Sequence, residues 1–380
     1  MINRYEYEPI AEIWSKKFQF NLWKQIELTY LKEIMPRLCV EKDHSLYLNT
    51  FAYEPDVKEI QEIEKTTKHE VVAFLKHLSD AFNNEDCKKY LHFGLTSSDI
   101  IDTASTLQFK LSLNILKDLT SKLLTAIDHV DTSYGLLKGL GRTHGKAAEE
   151  IYWTSRFTNL ALEIDYCMQE LESSIVSLPG KLSGPVGTSS LVDLDAVSAT
   201  LKAFNLSPSP YKSQIIPRHL YAKPVWALSL LMSCYEKFAT LVRLSAIDEV
   251  NEAQERFTRG QTGSSAMPHK NNPVTSENIC GLSRLSRSYV NITLENINLW
   301  WERDISHSST ERVVWPDAFH LACTATAKMT SLINGLRINI TQIEQNLERS
   351  KVTESHVELL KKSIETNRFE AYEEVQEEYF

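Results

Sequence analysis

Apolar side chains recur at steps of three and four along much of the chain. The longest such run is Leu107, Leu111, Ile115, Leu119, Leu123, Ile127 and Val130. This spacing lays one apolar stripe along a helix of about six turns. An earlier run, Phe18, Leu22, Ile26 and Tyr30, predicts a helix near the start, and residues 1–100 otherwise read as short helices and loops. Glycines between Gly135 and Gly145 interrupt the pattern. A second long helix is expected over 146–178, closed by Pro179-Gly180, then a breaker-rich turn over Lys181-Leu-Ser-Gly-Pro-Val-Gly187. Past a further break at Ser207-Pro-Ser-Pro210, a helix opening at Pro224 carries Val225, Leu228, Leu231, Tyr235, Phe238, Val242 and Ala246. Another runs from Pro273 to about Trp300. Glu302 to Pro316 reads as a polar loop or helix junction, 318–346 as helical, and 347–380 as a short, charged helical tail. Strand-type alternation is nearly absent. Helices this long bury their stripes most economically in a bundle, across subunits as well as within one. The expected fold is all-α, with an N-terminal helical domain (1–100), a central long-helix bundle (101–318) and a C-terminal helical domain (319–380).

Composition adds limits. With 380 residues, 42% hydrophobic and 24% charged, the chain is an ordinary globular protein with material for a sizeable core. A net charge of −9 argues against general affinity for nucleic acid or anionic lipid, and leaves room for a local basic site that takes an anionic small molecule. The six cysteines form no C-x-x-C pair, so neither a zinc cage nor a disulfide framework is indicated, and reduced thiols in the cytoplasm are expected. The start, Met-Ile-Asn-Arg-Tyr-Glu, lacks an apolar signal core, and no stretch is expected to be long and apolar enough to span a membrane.

Chemistry concentrates in Gly260-Gln-Thr-Gly-Ser-Ser-Ala-Met-Pro-His-Lys-Asn-Asn-Pro273. Gly260 and Gly263 allow the segment to bend and move, Ser264 and Ser265 add hydroxyls, Lys270 a point charge and Asn272 an amide. With Asn272 as N-cap and Pro273 as first helical residue, free helix N–H groups would face the same place. On residues alone this is either a surface loop that opens a helix or a site for a carboxylate or phosphate. It is not a Walker A loop, because the glycine and Ser/Thr around its lysine are missing. His144, in Gly141-Arg-Thr-His-Gly145, is either a hydrogen-bonded turn histidine or an exposed acid–base group. Thr96 and Asp99 have capping-box spacing, with Asp for the usual Glu or Gln. Trp301-Glu-Arg-Asp-Ile-Ser-His-Ser-Ser-Thr-Glu-Arg312 is either a solvated junction or a phosphate grip of two guanidinium groups and hydroxyls.

The stretch Gly-Ser-Ser-Ala-Met-Pro-His-Lys-x-Asn-Pro resembles the signature loop of the fumarase/aspartase superfamily, and Met-Pro-His-Lys with Asn-Pro points to its adenylosuccinate lyase branch. Gly-Arg-Thr-His-Gly, Lys68-His-Glu70 for the usual Arg-His-Asp, and His92-Phe-Gly-Leu-Thr-Ser-Ser-Asp99 are similar to further motifs of that family. The resemblance runs from about residue 1 to 375. It implies a fumarase/aspartase-like fold, a catalytic loop over 258–272, and a homotetramer whose sites are assembled from different subunits. It implies β-elimination of fumarate from a succinyl-amine, adenylosuccinate or succinyl-aminoimidazole-carboxamide ribotide, with no metal and no organic cofactor. Ser264 is then the base and His144 the acid that protonates the leaving nitrogen. Lys270 stabilises the aci-carboxylate, Glu277 orients His144, and His69 stands with these catalytic groups. The implied substrate-binding residues are Arg4, Tyr5, Lys68, Glu70, His92, Thr96, Ser97, Gln214, Ser265, Asn272, Asn278, Arg303, Ser308 and Arg312. Among them Arg303, Ser308 and Arg312, with Arg4 and Tyr5, take the phosphate and ribose end.

Three departures stand out. Lys146-Ala-Ala-Glu-Glu-Ile-Tyr-Trp153 replaces the family's continuation after Gly145. Asn271 stands where arginine is common. The third domain is abbreviated. A relative acting on another succinyl-amine such as argininosuccinate, or on a carboxymuconate, and a non-catalytic helical scaffold are the alternative expectations.

Overall fold

The computed structural model describes residues 1–38, 40, 43–257, 260, 263–267, 269–350 and 354–379. Helices dominate them, the longest being Ser97–Tyr134, Ser155–Val176, His219–Ser245, Val274–Glu295 and Ser306–Gly335. The chain forms two compact units. One comprises Met1–Leu119, Cys167–Leu231 and Arg284–Thr324; the other comprises Thr120–Tyr166, Met232–Ser283 and Ala325–Phe380.

The first unit is built on the helix Lys16–Ile34, most of whose buried residues, Phe20, Trp23, Ile26, Glu27, Tyr30, Leu31 and Ile34, fall on one face. The rings of Phe20, Trp23 and Phe74 meet at centroid distances of 5.3, 5.8 and 5.6 Å, in the offset and edge-on arrangements aromatic quadrupoles favour. A second aromatic core joins Trp14, Phe109, Tyr221, Trp315 and Phe319 from four separate segments.

The stripe expected along Ser97–Tyr134 is displaced in its first half. Leu119, Leu123, Ile127 and Val130 are buried, but Leu111 is 37% exposed, and Phe109, Leu113 and Leu116 take the inner face. The reason lies in the opening turns, where Asp99, Asp102, Thr103 and Thr106 occupy buried positions. An apolar pattern cannot register a core face that is polar there. Asp102 accepts both terminal nitrogens of Arg218, at 2.7 and 3.0 Å. Glu311 accepts Arg218 Nε at 2.8 Å and Nη2 at 3.1 Å. Burial opposes the Arg218 charge, and these two carboxylates more than offset it, raising its pKa. Asp99 accepts Lys181 Nζ at 2.5 Å and the backbone N–H groups of Thr96, Ser183 and Gly184. The reach of Asp99 back to Thr96 is one half of the expected capping box.

In the second unit, residues 146–152 are not helical. Lys138–Thr143 and Lys146–Tyr152 pair as an antiparallel hairpin, and the helix begins only at Ser155. The two-residue turn is His144 (φ 52°) and Gly145 (φ 75°), the left-handed pair that matches the twist of a tight hairpin. Lys-Ala-Ala-Glu-Glu is rich in good helix formers, and tertiary context overrides that propensity. Glu252 fixes the hairpin. It is fully buried and accepts Arg142 Nη2 at 2.7 Å, Trp153 Nε1 at 3.1 Å and Asn346 Nδ2 at 3.1 Å.

Other boundaries also move. The helix with Pro224 starts earlier, at His219, and carries the proline inside it. Its best 18-residue window reaches a mean hydropathy of 1.2, enough by length and composition to cross a membrane, contrary to expectation; 56% of that window is buried within the fold. Residues 306–316 belong to the helix Ser306–Gly335, with Pro316 inside it.

Two consequences for stability can be measured. Lys181→Met leaves a buried carboxylate without its cation and should cost about 3–5 kcal/mol in urea unfolding. The second concerns His92, whose Nδ1 lies 2.5 Å from Glu27. Burial lowers the imidazole pKa, the Glu27 charge and hydrogen bond outweigh it, and the net shift is upward. The pair's contribution is therefore full below the ordinary histidine value of about 6.5 and is lost as pH rises through the higher folded value. Unfolding midpoints of wild type should fall relative to Glu27→Gln as pH rises through this range.

Candidate active site

Within the first unit, residues far apart in sequence come together around a cavity of about 170 Å³. Glu70, Ser308, Glu311, Arg312, Lys16 and Trp23 line it. Glu70 is nearly buried and holds two cations, Lys16 and, at 3.2 Å, Arg312. Ser308 and Arg312 are one helical turn apart, on the helix that also supplies Glu311. From Glu311 the contacts continue outward. His307 Nδ1 lies 2.8 Å from Glu311 Oε2, Arg303 Nε is 3.4 Å from His307 Nε2, and Arg303 Nη1 donates to Gln214 Oε1 at 2.9 Å. Burial lowers the Arg303 pKa while Asp102 works the other way, and the group stays charged at neutral pH. A partly desolvated guanidinium held by an amide is a strong attractor for an anion.

The other expected residues of this unit sit in separate anchorages. His69 is exposed and caps the helix Glu70–Ala81, its Nδ1 accepting from Val72 N–H at 3.4 Å. Lys68 ends the preceding helix in a left-handed conformation. Thr96 and Ser97 are half-buried where the helix Ser97–Tyr134 begins, beside the Asp99 anchor. Arg4 is exposed and Tyr5 half-buried in a short 3-10 turn, where the Tyr5 carbonyl accepts Thr324 Oγ1 at 3.0 Å.

The second unit holds the loop and the hairpin. Residues 258–259, 261–262 and 268 of the loop lie outside the described residues. Ser264 Oγ accepts the N–H groups of Ala266 at 3.3 Å and Met267 at 3.2 Å. Asn272 Nδ2 donates to the Gly263 carbonyl at 3.0 Å, closing the loop's neck, and a Cβ on Gly263 would lie 2.0 Å from the Lys270 carbonyl. Lys270, Asn272 and Glu277 line a cavity of about 830 Å³ together with Arg243, His269 and Pro273. Ser265 is exposed and Asn278 half-buried.

The structure corrects one detail here. The helix begins at Val274, and its first N–H groups are not free: Thr275 and Ser276 donate to Glu255 at 3.0 and 2.7 Å. An internal carboxylate already occupies the place expected to attract a ligand's, and Asn272 closes the loop instead of capping the helix.

His144 is exposed at the hairpin tip. Its neighbours Thr143 and Gly145 border a second cavity, of about 890 Å³, with Arg142, Arg156, Glu252 and His356. Leu244 and Ile247 belong to the walls of both cavities. Among the described residues, no hydrogen bond or ion pair joins His144 to Glu277 or Ser264 within one copy. The departing flank is engaged inside the fold: Glu149 contacts His356 at 2.6 Å, Glu150 takes Lys138 at 2.5 Å, and Trp153 is buried.

Sequence reading passed over Glu27, Asp102, Lys181, Arg218, Glu252, Glu255 and Glu311 as buried anchors, and took Asp99 only as part of a capping box. The signal present was charge at positions that helical spacing assigns to a buried face, Asp99 and Asp102 being three apart. A buried charge requires a partner, so each such residue announces a second one elsewhere in the chain.

Comparison with known proteins adds to this geometry. A family model described as lyase matches residues 29–285. An adenylosuccinate lyase of Thermotoga maritima is 33% identical over 379 residues, covering 99% of this chain and 87% of its own. One from Aquifex aeolicus is 35% identical over 365 residues, covering 92% and 80%. The 3-carboxy-cis,cis-muconate lactonizing enzyme of Pseudomonas putida superposes with a TM-score of 0.85, covering 98% of this chain and 85% of its own, at 18% identity, a likeness of fold alone. The chain thus has the all-α fumarase/aspartase fold, belongs to the adenylosuccinate lyase family, and is a carbon–nitrogen lyase.

Proposed function

We propose that this enzyme releases fumarate from adenylosuccinate, giving AMP, and from succinyl-aminoimidazole-carboxamide ribotide, giving the free carboxamide ribotide. The observation that carries the reading is the 2.9 Å hydrogen bond between Arg303 and Gln214, residues 89 apart in sequence. It holds a partly desolvated guanidinium in a fixed orientation, linked through His307 and Glu311 to the cavity with Ser308 and Arg312. Such a grip suits a nucleotide phosphate. The names of the relatives at 33% and 35% identity support the same substrate.

Elimination removes a proton from the carbon beside a carboxylate. The C–H electron pair becomes the C=C bond of fumarate, and the C–N pair leaves on nitrogen. Ser264 is the base. The two N–H groups directed at its Oγ support the reading, because donors aimed at an oxygen favour its alkoxide. His144 gives the leaving nitrogen its proton, and exposure at a hairpin tip leaves the imidazole free to reach a substrate. Lys270, Asn272, Thr96 and Ser97 stabilise the doubly negative aci-carboxylate, each well-placed donor contributing about 3 kcal/mol to the barrier. His69, His92, Lys68, Glu70, Ser265 and Asn278 complete the substrate contacts, with Arg4 and Tyr5 at the phosphate end.

The reading places these groups on different copies of a homotetramer. Its support is that Leu244 and Ile247 stand in the walls of both cavities of the second unit, and that among the described residues no bond joins His144 to Glu277 within a copy. Glu277 of one copy would then orient His144 of another. Buried thiols (Cys87, Cys280 and Cys323) that form no disulfide fit a cytoplasmic enzyme.

The direct test is ultraviolet detection of fumarate and AMP after mixing the protein with adenylosuccinate. Turnover of argininosuccinate and not of adenylosuccinate would replace the proposed substrate. Ser264→Ala should keep substrate binding and lose roughly 10²–10⁴-fold in turnover; wild-type rates would remove serine from the mechanism. Ser264→Ala and His144→Gln, each inactive alone, should regain measurable activity when dissociated and reassembled together. Failure of such hybrids would speak against sites shared between copies.

A further inference from the structure

His307 has no role in the reaction as proposed so far, yet it is 3% exposed and in contact with three charged groups. Its Nδ1 lies 2.8 Å from Glu311 Oε2 and 3.3 Å from Arg218 Nη2, and its Nε2 lies 3.4 Å from Arg303 Nε. A carboxylate only accepts, so the 2.8 Å contact puts the ring proton on Nδ1 towards Glu311; Nε2 then faces Arg303 Nε as an acceptor, and the longer approach of Arg218 Nη2 to Nδ1 is a contact rather than a hydrogen bond. Glu311 is fixed in turn by Arg218, and Arg218 by Asp102, all of them buried. The imidazole is locked in one tautomer and one orientation.

We propose that His307 is a positioning residue for the phosphate end of the substrate, acting through Arg303. The inference rests on the reading of Arg303 as a phosphate ligand. A guanidinium has five N–H donors in a plane. His307 takes the one on Nε, and Gln214 takes one on Nη1. Gln214 is itself oriented, its Nε2 donating to the Pro185 carbonyl at 2.7 Å. Two fixed acceptors at different edges determine the plane of the guanidinium. The donors left over are one on Nη1 and two on Nη2, and they present an end-on fork that matches two oxygens of a phosphate. With His307 removed, Arg303 would keep its charge and lose its fixed plane. An attraction that depended on two matched hydrogen bonds would become a looser, single-point one.

The experiment compares adenylosuccinate with succinyladenosine, the same substrate without its phosphate, in wild type, His307→Phe and His307→Gln. His307→Phe should raise KM for adenylosuccinate roughly tenfold, equivalent to about 1.4 kcal/mol, with kcat within about twofold. KM for succinyladenosine should not change. His307→Gln, whose side-chain oxygen can accept from Arg303, should recover most of the loss. An equal effect on both substrates, or a fall in kcat with KM unchanged, would overturn the proposal. Adding His307→Phe to Arg303→Ala should change KM by less than about twofold, because the histidine then has nothing to orient; additive effects would contradict it. If the phenylalanine variant does not fold, His307→Asn, too short to reach Arg303, takes its place with the same expected outcomes. Wild type that fails to cleave adenylosuccinate sinks the functional reading itself. Wild type that cleaves it while every His307 variant matches it sinks only the inference.

Discussion

A buried guanidinium governs the first unit. Arg218 is out of water, where an unpaired charge would be prohibitively costly, so its surroundings must supply partners at fixed places. Asp102 comes from the helix Ser97–Tyr134 and Glu311 from the helix Ser306–Gly335. The rings of Tyr221 and Trp315 lie against the cation, its central carbon 5.5 and 5.6 Å from their centroids. Separate segments are thus tied to one point by directional bonds, which an apolar interface, tolerant of sliding, would not do. Everything placed outward from that point inherits its precision: Glu311 holds His307, His307 meets Arg303, and Arg303 bonds Gln214.

The second unit uses the opposite sign of charge for the same purpose. Glu252 is the buried anion, and Arg142, Trp153 and Asn346 converge on it. Arg142 lies on the strand just before the turn that carries His144. The hairpin is short and twisted, with an irregular register between Leu140 and Arg142. Two strands alone are marginally stable in water, so a tie to a buried carboxylate keeps the histidine's place defined. Burial raises the Glu252 pKa, its hydrogen-bonded partners lower it, and the net shift is downward, so the anchor stays ionised at neutral pH.

The long helices were legible because burying a stripe imposes a period that no side-chain detail can hide. The hairpin was not, because Lys-Ala-Ala-Glu-Glu suits a helix locally and only Glu252, a hundred residues on, makes the strand worthwhile. The stripe failed at Leu111 because the inner face of that first half begins with Asp99 and Asp102, charges that hydrophobicity patterns assign to solvent. Candidate site residues were readable as motifs, since loops and turns carry local signatures. Their present partners were not. Nothing near Glu70 in sequence announces Arg312, nor does anything near His92 announce Glu27. Pairing across long separations belongs to tertiary structure.

Those pairings change how the site should be pictured. The cations expected at the site are, for the most part, already paired. Arg312 is paired with Glu70, His92 with Glu27, and the helix N-terminus beyond the loop with Glu255. Only Arg303 among these cations is held by neutral acceptors, Gln214 and His307, and so keeps donors in hand for a ligand. An anion arriving at Arg312 must compete with a carboxylate already there, while one arriving at Arg303 need not. The physical expectation is an ordered grip. On the proposed reading Arg303 would take the phosphate first, and the paired groups would exchange their internal carboxylates only for a ligand that fits well enough to offset the loss. A small or misfitting anion would meet the charge without the fit. Selectivity would then come less from the number of cations than from which of them are already occupied.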